Sequence, residues 1–298
     1  MVAAVAVARY HRAEADILPR FAGNNEIDTV LRTLAPAPGP EADLWITDIS
    51  WREPETDAHL RALAAAGVRI YWIDHHRTAL QRFRAGLVNV PFADRVLDEQ
   101  YAASRLVYEY LERRLAAEGR TVPAFAALAR LVAMADDNDR WLHRVPGSRE
   151  LAWVVRSLGA EAYEELLTID EQVTYTPRMR AARARVEAEI AKSLRVADAS
   201  RVERRVGEVT LVAAVCDGHP SEVADAWRKQ ARNAVFALYD AQGLAVSLRR
   251  SPDCTVDLSR LAATLGGGGH EAAAGVELPD LRRDLAKALA ARIAEALA

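Results

Sequence analysis

The chain has 298 residues, of which 51% are hydrophobic and 27% charged, with a formal net charge of −3. That balance is globular, with length enough for two domains, and it excludes a disordered chain. A slightly acidic chain also lacks the basic stripe of a non-specific duplex binder, so any nucleic-acid contact must be local.

The N-terminal run VAAVAVARYH is apolar, has no basic stretch before it and is too short to span a bilayer. It predicts a buried helix over Ala3 to His11. Asp16 to Phe21 suits a strand and Glu26 to Leu34 a helix, followed by a proline- and alanine-rich loop from Ala35 to Glu41. Leu44 to Ile49 (LWITDI) is a largely apolar run with an acid near its end. His59 to Ala66 is helical, and Gly67 stands where helices commonly end. Val68 to Ile73 (VRIYWI) is a second apolar run, leading into Asp74, His75 and His76. Short apolar strands alternating with helices predict an α/β fold with a parallel sheet covered on both faces.

From about Asp98 the pattern turns helical, over Gln100 to Ala117 and Ala124 to Met134, the latter running into the acidic cluster ADDNDRW. Arg178 to Leu194 is rich in helix formers and reads as a connector. Strands return at Val209 to Val215, Ala234 to Leu238 and Leu244 to Leu248, with helices between them and a last helix over Leu281 to Leu297. The expected organisation is an N-terminal parallel-sheet domain over 1–170, a helical connector over 171–199 and a smaller C-terminal α/β domain over 200–298. Two cysteines, Cys216 and Cys254, are too few for a disulfide framework or a cysteine zinc cluster. With no membrane segment, the expected location is cytoplasmic.

Four features carry chemistry. Asp74-His75-His76 follows a parallel strand at its carboxyl end, where open α/β sheets bind ligands. Asp48 ends the preceding strand in the same way, so carboxylate and imidazole meet at one edge, a donor set suited to manganese or a related divalent ion. Asp136-Asp137-Asn138-Asp139 crowds like charges at a helix C-terminus, against the macrodipole, a cost that a cation would offset. The spacing and the missing glycine exclude an EF-hand. Gly266 to Gly269 before His270 would not sit inside a regular element; such a run lets backbone approach a ligand and point amides at an anion. Ser247-Leu248-Arg249 ends a strand with a guanidinium suited to phosphate.

Together these motifs resemble the DHH phosphoesterases. WIDHH resembles their signature, GGGGHEAAAG the glycine motif of their associated C-terminal domain, and VSLR at Val246 to Arg249 the segment before it. The resemblance spans nearly the whole chain in order, and DNDRW at Asp137 to Trp141 is most similar to the short-oligonucleotide branch. It implies metal-dependent hydrolysis of phosphate esters in short oligonucleotides or small nucleotides, with manganese as cofactor. Asp48, His75 and Asp137, or its neighbour Asp136, would be metal ligands. His76 would contact the phosphate and Asp74 would orient an imidazole. Ser247, Arg249, Gly267, Gly268, Gly269 and His270 would hold substrate phosphate, with the cleft between domains as active site. Partners would be short single-stranded nucleic acid or a small nucleotide, with no membrane, and the resemblance admits a homodimer.

The family's first motif, roughly His-x-Asp-x-Asp-Gly on a first strand, has no counterpart here. Met1 stands at about its glycine, and VAAVAVARYH resembles the helix that follows. The sequence as written is therefore expected to hold one ion or none, against two in the family, and to hydrolyse poorly until a strand bearing the ligands is restored. The alternative is a catalytically impaired nucleotide- or RNA-binding relative. A tRNA-handling role, suggested by related C-terminal domains on alanyl-tRNA synthetases, fits less well beside the DHH run.

Overall fold

The computed structural model describes residues 1–11, 14–35 and 42–297. It divides into two compact units, Met1–Arg183 and Ala184–Ala298. No described helix is long and apolar enough to cross a membrane.

The first unit holds α1 (Val2–His11), α2 (Ile27–Arg32), β1 (Asp43–Thr47), α3 (Pro54–Ala65), β2 (Arg69–Asp74), α4 (Arg77–Arg84) and β3 (Asp94–Leu97). Then come α5 (Ala103–Ala117), α6 (Pro123–Ala126), α7 (Ala129–Asp139), α8 (Ser148–Leu158) and α9 (Ala162–Leu167). The three strands form a parallel sheet in the order β1-β2-β3, with Thr47 level with Ile73 and Asp74 level with Leu97. The strand ends carrying Asp48 and Asp74 therefore lie at one edge. Parallel strands are apolar throughout because both faces are covered, and β2 is buried along all but its first residue. Ile70 and Trp72 pack with Leu60 of α3, while Ile73 packs with α1, α5 and α7.

α1 is enclosed almost all round, as its apolar run predicts. Its one arginine, Arg9, is buried, and its guanidinium donates to the carbonyls of Ala124, Leu167 and Ile169. Leu167 ends α9, so a cation there also meets the negative end of a helix dipole.

Two sequence expectations fail in this unit. Asp16 to Phe21 is not a strand: Pro19 has no N–H to give a ladder, and no described strand lies beside the segment. The helix expected over Ala124 to Met134 is two helices, interrupted at Ala127 and Leu128, and the second runs on so that the acidic cluster forms its last turn. Of the loop expected over Ala35 to Glu41, residues 36–41 lie outside those described. α3 starts at Pro54, a residue favoured at the first helical position. Gly67, at φ +98°, closes the same helix in the left-handed conformation its type permits.

α10 (Pro177–Ser200) runs through the division between the units. The second unit continues with β4 (Val202–Val206), β5 (Val209–Cys216), α11 (Pro220–Arg228), β6 (Ala234–Asp240), β7 (Ala245–Arg250), α12 (Leu258–Thr264), β8 (Gly268–His270), β9 (Ala273–Val276) and α13 (Pro279–Leu297). Its strands make one mixed sheet, β4-β5-β6-β7-β9-β8. One apolar layer joins α11 to Val212, Phe236 and Leu238, and the other joins α12 to Val246, Leu248, Ala274 and Val276.

The loop leading from β1 to α3 is fixed by Asp28 of α2. Its carboxylate accepts from the amides of Arg52 and Glu53, at 3.0 Å each, and from the Thr56 hydroxyl at 2.6 Å. Burial alone would raise its pKa, but these bonds hold it below the ordinary carboxyl range. Asp28→Ala should cost about 2–3 kcal/mol, because buried donors lose a charged acceptor. Since the folded pKa is depressed, this contribution is present above the unfolded carboxyl pKa and fades as pH falls through the folded one. Urea titrations of both proteins at neutral and strongly acidic pH should show the gap closing with acid.

Candidate metal and phosphate sites

The first site is built by strand ends. The Asp48 amide donates to Ile73 O at 3.0 Å, extending the ladder one residue beyond β1 before the chain turns at φ +65°. Asp is among the residues that tolerate that region best. On β2, Asp74 is fully buried. Its Oδ1 accepts from the amides of His75 (2.7 Å) and His76 (3.1 Å) and from His76 Nδ1 (2.7 Å). Holding Nδ1 leaves His76 Nε2 to face outward.

Asp48, His75 and His76 each offer one ligand atom, all within 4.8 Å of one another. His75 Nε2 lies 3.2 Å from Asp48 Oδ1 and 3.5 Å from Asp139 Oδ2. The side chains are reachable: Asp48 is 40% and Asp139 42% exposed, His75 17%. Two carboxylates and two imidazoles form a hard-to-borderline donor set that suits manganese, zinc or iron in the divalent state.

The acidic turn of α7 divides its labour. Asp136 is buried and accepts from the Ala102 amide at 2.8 Å, satisfying the start of α5, with Arg140 and Arg105 beside it at 3.4 and 3.7 Å. Asp137 is buried and accepts from the Arg144 amide (2.8 Å) and the Ser148 hydroxyl (2.6 Å) at the start of α8. Burial would raise the Asp137 pKa, and these bonds outweigh it. Neither acid is among the residues brought together at His75. Asp139 is, and sequence reasoning passed it over for its neighbours. The signal was present in the DNDRW run, but consecutive acids sweep round a helix by 100° per residue, so the string alone does not choose a face.

The electrostatics favour a cation. Burial raises the Asp139 pKa, with the Asp48 charge adding to it and His75 opposing. His75 is raised by its bond to Asp48 and by Asp139, against burial, and His76 by its bond to Asp74.

The second site lies on the sheet of the other unit. Register places Ser247 level with Gly275 and Arg249 with Ala273, then Gly268 level with Gly275 and His270 with Ala273. Level residues of antiparallel strands share a face. Ser247, Arg249, Gly268 and His270 therefore stand on one face, opposite the apolar layer under α12. Arg249 donates to Ser221 Oγ at 2.8 Å, in the first turn of α11, and to Leu248 O at 2.8 Å. Burial lowers its pKa while Glu222 offsets this, so the guanidinium is only partly compensated. Ser221 was not foreseen from sequence.

The four glycines do different things. The amides of Gly266 and Gly267 donate to Ala263 O and Ala262 O, capping α12 and not facing outward. A Cβ on Gly267 would fall 2.2 Å from Gly275 O, and one on Gly269 2.5 Å from Ala274 Cα. At Gly268 a Cβ meets nothing within 4 Å, and His270 beside it is exposed.

Residues 209–297 match the DHHA1 domain family. No curated protein matches the chain. Among solved structures, a pGpG-specific phosphodiesterase, PggH from Vibrio cholerae, is 13% identical, with 99% of this chain and 95% of that one covered and a TM-score of 0.54. An exopolyphosphatase-related protein from Bacteroides fragilis is 15% identical over 86% of this chain and 69% of that one, with a TM-score of 0.39. An uncharacterized protein from Helicobacter pylori is 16% identical over 93% and 90%, with a TM-score of 0.36. The first shows a fold shared along nearly the whole chain, within which residues 209–297 match the DHHA1 domain, as the glycine motif predicts.

Two outcomes follow. Because a ligating imidazole must be neutral, manganese affinity should fall as pH drops through a His75 pKa lying above the ordinary histidine value. Calorimetric titrations between pH 5.5 and 8.5 would show this, and an affinity flat across the range would contradict the assigned donor. Gly267→Ala should destabilise the second unit by about 2 kcal/mol or more through overpacking, whereas Gly268→Ala should change its thermal midpoint little.

Proposed function

We propose that this chain, with its DHH-type fold and DHHA1 domain, is a metal-dependent phosphoesterase acting on short oligonucleotides or small nucleotides. The observation that carries the reading is the convergence of Asp48, His75, His76 and Asp139 at the carboxyl edge of a parallel sheet. Asp48, His75 and Asp139 would hold the ion, with manganese preferred on donor chemistry. When bound, such an ion lowers the pKa of water and stabilises charge on a phosphoryl oxygen.

The chain's own residues supply orientation. Asp74 accepts three hydrogen bonds at one oxygen, from the His75 and His76 amides and from the His76 ring, and so fixes the turn and the His76 imidazole. His76, its pKa raised by Asp74, keeps Nε2 toward the site, where the protonated ring donates to a phosphate oxygen. On the second unit, Arg249, Ser221 and His270 offer guanidinium, hydroxyl and imidazole to a phosphate or a nucleotide end. A device that reads an end favours short substrates, and the likeness to a pGpG-specific phosphodiesterase is a reason to try dinucleotides first. The donor count supports a second reading. Three side chains suit one ion better than two, so a relative that binds nucleotides and turns them over slowly is the alternative.

The test is hydrolysis of 5′-phosphorylated di- to pentanucleotides, pGpG included, with manganese, magnesium or cobalt. Asp139→Asn should abolish turnover and leave thermal stability unchanged, whereas Asp137→Asn should lower stability by unseating the start of α8. Asp74→Asn should cost about 10–100-fold in activity or metal affinity. Equal loss from Asp137→Asn and Asp139→Asn at unchanged stability would refute the assignment of ligands. Calorimetric binding of pGpG without turnover would select the binding relative.

A further inference from the structure

Several helices of this chain stop in the same way. In α3, α4, α5 and α12 the second amide past the helix donates to the carbonyl three residues back, and the next amide to the carbonyl five residues back. This pair of bonds needs a left-handed residue at the first of the two positions, and glycine serves best there. The residues are Gly67, Gly86, Gly119 and Gly266, at φ between +64° and +98°. α7 closes with the same two bonds, Trp141 N to Asn138 O and Leu142 N to Asp137 O, at 2.9 Å each. Its left-handed residue is Trp141, at φ +55°.

A bulky side chain is strained in that conformation, and strain of this kind gathers at functional sites. Burial does not offset it. The sequence has six tryptophans, and Trp141 is 40% exposed while the other five are buried or half-buried. Its place supplies a reason. Asp139, the last residue of α7, meets His75 at the metal edge. Trp141 follows two positions later, at most about 7 Å along the chain. The His143 ring lies against the indole, with centroids 4.5 Å apart and planes tilted by 55°. Asp137 ties the same turn to the start of α8 through the Arg144 amide and the Ser148 hydroxyl. The indole is therefore held on a fixed turn beside the ion's ligands and left open to solvent.

We infer that Trp141 is a stacking platform for the nucleobase next to the scissile phosphate. An indole offers a broad π face, every base has one too, and such stacking tolerates any sequence. It selects nucleotides over phosphate esters that carry no ring. The inference rests on the phosphoesterase reading, which puts the phosphate at Asp139, and it narrows that reading to substrates with a base beside the bond that breaks. Inorganic polyphosphates and sugar phosphates lack that base.

The experiment compares pGpG with a 5′-phosphorylated dinucleotide of the same backbone whose two bases are replaced by hydrogen, both with manganese. Trp141→Gly should lower kcat/KM for pGpG by about 10–100-fold, chiefly through KM. The abasic analogue has nothing to stack and should lose far less. Trp141→Phe keeps a ring and should keep most of the pGpG activity. Because glycine suits the turn, Trp141→Gly should match or exceed the parent's thermal midpoint. An equal loss on both substrates, or a clearly lowered midpoint, would make Trp141 a structural residue and overturn the inference, with the phosphoesterase reading intact. If the parent hydrolyses neither compound, binding decides. pGpG should then quench the parent's tryptophan emission, and Trp141→Phe should lose the quenching while keeping calorimetric affinity. Quenching that survives in Trp141→Phe, or no binding of pGpG to the parent, would overturn the platform. Binding with quenching but without turnover would overturn the phosphoesterase reading alone.

Discussion

The first unit's chemistry rests on one buried carboxylate. Asp74 is removed from water at the end of β2, a state that costs several kcal/mol unless hydrogen bonds compensate. Three N–H groups supply compensation at a single oxygen, two from the backbone turn that follows and one from His76. Taking out the acid would therefore leave the turn without its organiser and the His76 imidazole free to rotate, while His75 keeps its contact with Asp48. The second oxygen, Oδ2, has no hydrogen-bond partner, so the arrangement is tuned for holding the histidines and not for the best possible burial of a charge.

Much of this was legible in the sequence because parallel strands announce themselves. LWIT and RIYWI are apolar without alternation, and the acids and histidines that follow mark where each run leaves the sheet. β3 was not legible: it has four residues, two of them charged, and its strand state depends on β2 beside it. Asp16–Phe21 erred in the opposite direction, since local pattern cannot supply a partner. The acidic turn shows a third kind of limit. Three aspartates share one turn, yet two of them cap neighbouring helices and the third reaches His75, a distinction made by the packing of α5 and α8 around α7.

The glycine run illustrates how one motif serves two ends. Read as a string, four glycines suggest a flexible cradle of amides. In the fold, the first two amides close α12, and two glycines lack Cβ atoms because a neighbouring backbone occupies the space. The open end, at Gly268 and His270, stands on the same sheet face as Arg249 by register alone. Strand pairing thus gathers onto one surface groups that lie more than twenty positions apart in the chain.

Arg9 has a consequence for how the protein is made. Its guanidinium joins the ninth residue to carbonyls at positions 124, 167 and 169. Ile169 follows Arg9 by 160 positions, which at ribosomal speeds of about 5–20 residues per second is roughly 8–32 s. Until that interval ends, the buried cation lacks the Leu167 and Ile169 acceptors. The first unit can close only when its last helices arrive, so α1 must be kept from other partners until then.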